Sequence, residues 1–246
     1  MSLPVHLVPD LAGVAVGDQL TVEGDEAHHA VAVRRLRVGE RVVLTDGRGA
    51  AVTGEVAETG KRVFTVTVTE RTDRPEPTPR VTVVQALPKG ERGELAVEVL
   101  TEIGAARIVP WAASRSVAVW RGDRVERSLN KWRATAREAA KQARRSWFPE
   151  VVPLASTAQV VELVAASTTA VVLHEEGAAR LGDVVTPERG ELLLVVGPEG
   201  GLAAEEIEAF EAAGAVTVRL GAEVLRTSTA GLAAVSALLA QTPRWA

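Results

Sequence analysis

Leu192-Leu193-Leu194-Val195-Val196 runs directly into Gly197-Pro198-Glu199-Gly200-Gly201-Leu202, and no other stretch says as much about the architecture. Five consecutive apolar residues are the pattern of a strand buried on both faces, as in a parallel sheet. Residues Ala203 to Ala213 then read as a helix, with Gly214 as its stop. Glycines let backbone approach a ligand closely, and free N–H groups at a helix start bind polar atoms. In α/β proteins such turns lie at the carboxyl ends of parallel strands, where ligands sit. A second turn of the same kind follows, Leu220-Gly221-Ala222-Glu223-Val224-Leu225-Arg226-Thr227-Ser228-Thr229-Ala230. One such turn is as readily a tight βα connection as a binding site; two in succession point to a crevice.

Upstream of these turns, strands and helices alternate back to residue 81. Val81 to Leu87, Arg107 to Trp111 and Thr169 to Leu173 read as strands. Helices are expected from Glu91 to Ile103, within Arg124 to Arg145, and near Gln159 to Ala166. That order predicts an α/β domain with a largely parallel sheet over 81–246. Arg71 to Arg80 holds three prolines among charged residues and reads as an extended linker, with its core at 73–80. Before it, residues 1–72 form a β-rich unit, a small barrel by pattern. Its strands are Leu20 to Gly24, Arg41 to Thr45, Ala51 to Ala57 and Arg62 to Glu70, turning at Asp46-Gly47 and Thr59-Gly60. One helix is expected from Glu26 to Val33.

The chain has 246 residues, 46% of them hydrophobic, and no cysteine. Disulfides, thiolate metal sites and cysteine nucleophiles are thereby excluded. The start, Met1-Ser2-Leu3-Pro4-Val5-His6, lacks a basic region followed by a long apolar segment, so a cytoplasmic protein with no membrane span is expected. The net charge of −4 conceals an asymmetry: residues 1–70, 71–150 and 151–246 carry −3, +6 and −7. Arg115 to Arg145 holds ten Lys or Arg against Asp123, Glu126 and Glu138. A local positive field of this kind can bind a polyanion.

The first turn lacks the three-glycine spacing of a dinucleotide fingerprint and the Gly-Lys-Ser/Thr ending of a phosphate loop, which disfavours ordinary NAD or ATP binding. Glu205 and Glu206 read as complements of the helix dipole. Arg226, between Leu225 and a capping threonine, stands at the expected mouth of the crevice, where it can face an anionic substrate or developing charge. On the basic helix, Arg133, Arg137, Lys141 and Arg144 recur along one face, a pattern suited to phosphate contact. His28-His29 with Arg34, Arg35 and Arg37 is a second basic cluster. Adjacent histidines lack metal-ligand spacing, so no metal site is expected.

Together these residues resemble the ribosomal RNA small subunit methyltransferase E family. Its members are S-adenosylmethionine-dependent enzymes of the knotted α/β (SPOUT) superfamily that methylate N3 of a uridine in 16S rRNA. The two glycine-bearing turns look like the family's cofactor-loop motifs in the right order. Ala86-Leu87-Pro88-Lys89-Gly90, Thr101-Glu102-Ile103-Gly104 with Pro110, Glu138 with Gln142 and Arg145, and His28-His29 with Arg35 and Gly39 support the match. The resemblance implies a trefoil-knotted methyltransferase domain behind a PUA-like RNA-binding β-barrel. It also implies a homodimer whose partners are 16S rRNA or the small ribosomal subunit.

For the cofactor the resemblance implies contacts from Leu173, His174, Glu175, Gly197, Glu199, Gly200, Leu220, Val224, Leu225 and Thr229. For RNA, the basic-face pattern and the supporting motifs together give His28, Arg35, Lys89, Arg133, Arg137, Lys141 and Arg145 as expected contacts. Departures from the family's usual residues fall at His6, Val99, Ala222-Glu223 and Ser228.

A sulfonium methyl is already activated, so such an enzyme has to align it and exclude water. Uridine N3 must lose a proton. Arg226 is expected to stabilise the resulting negative charge, with Glu199 or His174 as base. Without cysteine, C5 methylation through a covalent adduct lacks its usual nucleophile. Ribose 2′-O-methylation and a non-catalytic RNA-binding or ribosome-assembly role remain alternatives.

Overall fold

The computed structural model describes residues 3–90 and 92–245; Met1-Ser2, Glu91 at the expected helix start, and Ala246 lie outside the described residues. The chain divides into two compact units. One is Met1–Glu76 with Lys141–Phe148, and the other is Pro77–Ala140 with Pro149–Ala246.

The first unit is a five-stranded sheet ordered β1 (Val5–Leu7), β3 (Arg41–Thr45), β4 (Ala50–Thr59), β5 (Val63–Asp73), β2 (Gln19–Glu23). All pairs are antiparallel except β1 with β3. Alternation along the strands drives Val42, Leu44, Val52, Val56, Phe64, Val66 and Val68 into one core with Leu11, Val22 and Leu36. The expected helix from Glu26 to Val33 is a short α1 (Gly24–His28) continued by a π-helical turn at His29–Val33. β1 was not legible, because three residues give no periodicity. The expected linker also starts late: β5 continues to Asp73. There Arg71 spends its guanidinium donors on Asp73 and on the carbonyls of Leu11 and Val14, at 2.7–2.8 Å.

A returning segment, Lys141–Phe148, completes this unit, where a single cut near residue 73 would have left it in the second. Gly49 N–H donates to the Ser146 carbonyl at 2.8 Å, Phe148 N–H to Gly47 at 2.9 Å, and the Trp147 indole N–H to Arg74 at 2.8 Å. Gly49 is required here: its φ is +104°, and an added Cβ would lie 2.5 Å from the Arg74 oxygen. Lys141 Nζ reaches both oxygens of Glu26 at 3.1 and 3.2 Å, and His6 Nδ1 lies 3.0 Å from the same carboxylate. Burial works to raise the Glu26 pKa. The His6 hydrogen bond and the Lys141 ammonium outweigh it and hold the carboxyl below its ordinary range.

The second unit is an all-parallel seven-stranded sheet. Its order is β10 (Ala179–Arg180), β12 (Val216–Arg219), β9 (Thr169–Leu173), β11 (Glu191–Val196), β6 (Arg80–Ala86), β7 (Arg107–Trp111), β8 (Glu150–Val151). Helices cover both faces, as a parallel sheet requires. One core joins β6, β9 and β11 to α2 (Arg92–Ile103), α3 (Asp123–Gln142) and α6 (Thr227–Leu239). The opposite core joins the sheet to α4 (Thr157–Ala166) and α5 (Ala204–Ala212). The expected strands and helices all occur, within a few residues at their ends. β8 and β10 escaped the sequence because two residues carry no pattern. Among the described residues, no helix is long and apolar enough to cross a membrane, and no group of three or more His, Asp or Glu is placed to hold a metal ion.

Candidate functional site

The sheet order assembles the site. β12, β9, β11 and β6 are consecutive parallel neighbours, so their carboxyl ends open side by side. Leu173-His174-Glu175 follows β9, Gly197 to Leu202 follows β11, Leu220 to Arg226 follows β12, and Leu87-Pro88-Lys89 follows β6. Four segments far apart in the chain thus share one edge, the place where α/β proteins bind ligands. Three hydrogen bonds stitch them together. His174 N–H donates to the Val218 carbonyl at 3.0 Å, Lys89 N–H to Glu199 Oε1 at 3.1 Å, and Gln85 Nε2 to the Thr227 carbonyl at 3.3 Å.

The first turn is tightly braced. Gly201 N–H closes it onto the Pro198 carbonyl at 3.0 Å. Gly200 packs so closely on the segment after β7 that a Cβ there would sit 2.8 Å from the Arg115 carbonyl oxygen. At the far end of the turn, Ala203 donates its N–H to Glu206 Oε2 at 3.1 Å. Glu199 is exposed, with one oxygen fixed by Lys89, and an open groove of about 680 Å³ lined by Lys89, Gly90, Arg92, Leu95 and Glu199 lies beside it.

The second turn is the opposite. Gly221 through Arg226 are exposed, and Val224 and Leu225 present 77% and 41% of their surface. Arg226 has extended backbone at the α6 N-cap, and its carbonyl accepts from Thr229 and Ala230 N–H and from the Thr229 hydroxyl. Among the described residues, its guanidinium has no partner, and the N–H groups from Gly221 to Ser228 find no acceptor. Ser228 is 3% exposed, so the side chain at this departure from the family pattern is packed at the helix start.

These donors suit a nucleoside ligand bearing a sulfonium. Among the described residues, the N–H groups of Gly197, Glu199 and Gly200 and of the second turn are free to meet ring nitrogens and a carboxylate. Val224, Leu225 and Leu173 offer apolar surface for a base. Glu199 and Glu175 are exposed carboxylates on the same edge, of the sign that suits a cationic ligand. The residues present therefore fit S-adenosylmethionine. His174 is less free than its sequence position implied, since its Nδ1 accepts the Glu176 N–H at 3.2 Å. The neutral ring then carries its proton on Nε2 and keeps no open lone pair.

The expected RNA contacts divide. His28 and Arg35 are exposed in the first unit, Arg35 in a left-handed conformation with φ 57°. Lys89 is exposed beside Glu199. Arg133 and Arg137 are exposed on α3, where Glu126 lies 3.5 Å from one and Glu138 3.8 Å from the other. Such surface pairs are weak and yield readily to phosphate. Arg145 is partly buried in the returning segment. Lys141 leaves the expected exposed face altogether: it is 8% exposed and paired with Glu26. Helical spacing aligns it with the arginines, and tertiary packing of the helix end overrides that spacing.

Sequence reading missed two supporting residues. Gln85 is 1% exposed at the end of β6 and joins Ala86 and Thr227 carbonyls; a polar residue closing an apolar strand was its signal. Glu206 has the position of a dipole complement beside Glu205, yet it is 4% exposed while Glu205 faces solvent.

With this geometry in place, comparison with known proteins is decisive. Residues 74–239 match the RNA methyltransferase domain family and residues 22–69 the RNA methyltransferase PUA domain family. Proteins named ribosomal RNA small subunit methyltransferase E are similar along most of the chain. That of Mycobacterium tuberculosis is 47% identical over 98% of this chain and 92% of its own length. That of Bacillus subtilis is 32% identical over 90% of each. The crystal structure of the Neisseria gonorrhoeae enzyme of that name, bound to S-adenosylmethionine, superimposes with a TM-score of 0.86 at 27% identity, over 97% of this chain and 98% of that one. A Legionella pneumophila protein in complex with the same cofactor gives 0.89 at 25% identity, over 98% and 99%. The fold is thus the expected one, a SPOUT-type α/β methyltransferase domain with a PUA-like first unit.

Proposed function

Because the chain belongs to the ribosomal RNA small subunit methyltransferase E family, we propose that it methylates N3 of a specific uridine in 16S rRNA, using S-adenosylmethionine. The observation that carries this reading is the alignment of four strand ends on one edge, two of them ending in turns rich in free N–H groups. When bound, the cofactor supplies a methyl group already activated by the sulfonium. Gly197, Gly200, Leu220, Val224, Leu225 and Thr229 hold it, with Leu173, His174 and Glu175 closing the side given by β9.

The remaining work falls to two side chains. Glu199 has one oxygen fixed by the Lys89 N–H, which leaves the other to accept the N3 proton and so free the ring nitrogen's electron pair. Arg226 directs unpaired N–H donors toward the uracil carbonyl oxygens, where the charge of the deprotonated ring accumulates. Lys89 and Arg92, along the adjoining groove, suit the phosphates of the target nucleotide. His28 and Arg35 of the PUA-like unit and Arg133, Arg137 and Arg145 supply further backbone contacts, so RNA affinity falls steeply with salt. Lys141 serves the fold of its own unit. A homodimer acting in the cytoplasm agrees with this reading.

The test is nucleoside analysis of 16S rRNA from cells lacking the gene, before and after treatment with the purified protein and labelled cofactor. Label in N3-methyluridine supports the proposal. Label in 2′-O-methylated ribose assigns the other reaction, and cofactor uptake without label leaves an RNA-binding role.

A further inference from the structure

Glu206 is a buried carboxylate with no cation near it among the described residues, an arrangement that is costly unless both oxygens accept hydrogen bonds. Both do. Oε1 accepts the Ser114 N–H at 2.9 Å and the Thr157 hydroxyl at 3.1 Å, and Oε2 accepts the Ala203 N–H at 3.1 Å. Thr157 in turn accepts the indole N–H of Trp111, fully buried at the end of β7, at 3.2 Å. The Trp111 ring meets Phe210 of α5 edge-on, with centroids 5.5 Å apart. One carboxylate therefore joins the segment after β7, the start of α4 and the start of α5.

Its position gives this brace a consequence. The first turn begins at the fixed end of β11 and ends at Ala203, whose N–H Glu206 holds. Ser114, on the same carboxylate, precedes Arg115, whose carbonyl forms the floor against Gly200. Both the far end and the floor of the turn are thus set by one side chain. Resting on the methyltransferase reading above, we infer that Glu206 is a positioning residue: it fixes the Gly197–Leu202 turn so that its N–H groups face the methyl donor. A carboxylate is needed because it only accepts. Glutamine in its place would point an NH2 at one of two backbone N–H groups.

The test compares Glu206→Gln with Thr157→Val by calorimetric titration with S-adenosylmethionine and by thermal melting, with no RNA present. Thr157→Val strips a hydroxyl from the same carboxylate but leaves both backbone contacts. The expected result is a cofactor dissociation constant raised roughly 10- to 100-fold in Glu206→Gln, the range seen when groups that orient a ligand-holding segment are lost. Thr157→Val should lower the melting temperature while leaving cofactor affinity close to wild type. Wild-type affinity in Glu206→Gln overturns the inference, as does equal weakening in both variants. Should Glu206→Gln be insoluble, Glu206→Asp, one methylene too short to span Ser114 and Ala203, decides by the same criterion. If wild-type protein itself takes up no cofactor, it is the methyltransferase reading that fails.

Discussion

The two turns that form the crevice are built in opposite ways. The first is fixed before any ligand arrives: Glu206 holds its end, Lys89 its carboxylate, and the Arg115 carbonyl its floor. The second has eight consecutive N–H groups, Gly221 to Ser228, without acceptors among the described residues, and two exposed apolar side chains. Gln85, through the Thr227 carbonyl, ties its end to the sheet. A crevice with one rigid and one bare wall limits the ordering cost of binding to a single segment, while the rigid wall keeps Glu199 and the groove beside it in register. The contrast also separates roles. Substitutions at the braced positions of the first wall are expected to act on shape, and those in the second on contacts made only with ligand or substrate.

Arg226→Ala gives the largest effect expected from this division. Among the described residues the guanidinium holds nothing, so stability and cofactor affinity should barely move, while kcat falls about 10²- to 10³-fold, the usual loss for one charge-stabilising donor. Single-turnover methylation beside calorimetry separates the two. Collapse of cofactor affinity with normal turnover would make the arginine part of the wall and blur the contrast.

Gly200→Ala comes next. Its new Cβ, 2.8 Å from a backbone oxygen, forces the braced turn to shift, at a cost of about 1–3 kcal/mol in denaturant unfolding. An acid effect tests whether such losses stay within their own unit. Glu26 titrates below its ordinary range, so its stabilisation is complete above the usual carboxylate pKa of about 4.3 and is lost as pH falls through the lower folded value. Glu26→Gln should therefore flatten the acid side of the stability profile and leave cofactor uptake at neutral pH intact. The smallest effect is expected at Gly221, where an added Cβ meets only a glutamate oxygen at 3.9 Å. Gly221→Ala should change stability by less than about 0.5 kcal/mol. A cost equal to that at Gly200 would mean that the second turn is braced as well.

The legible parts of this molecule are those written in short-range pattern. Apolar runs marked β6, β7, β9 and β11, and glycines placed both turns after strands. Sheet order was not legible, because nothing within Leu192 to Val196 says which strands flank it; β11 lies between β6 and β9 through contacts that span the domain. The same limit hid the returning segment Lys141–Phe148 and moved Lys141 from a surface stripe into an ion pair with Glu26. It hid Glu206 too. Beside Glu205 the residue looks like any first-turn acid, and only Ser114 and Thr157, some 92 and 49 positions away, give it its role.

Hydrogen exchange with and without S-adenosylmethionine asks directly whether these turns are one rigid and one ligand-completed wall of a methyl-donor crevice. Strong new protection is expected at residues 221–228, where the N–H groups have no acceptor among the described residues. At Ala203 and Ser114, already bonded to Glu206, protection should exist beforehand and change little. Cofactor binding that leaves 221–228 exchanging as before, or new protection at Ala203 and Ser114 as large as at 221–228, would contradict this picture of the crevice.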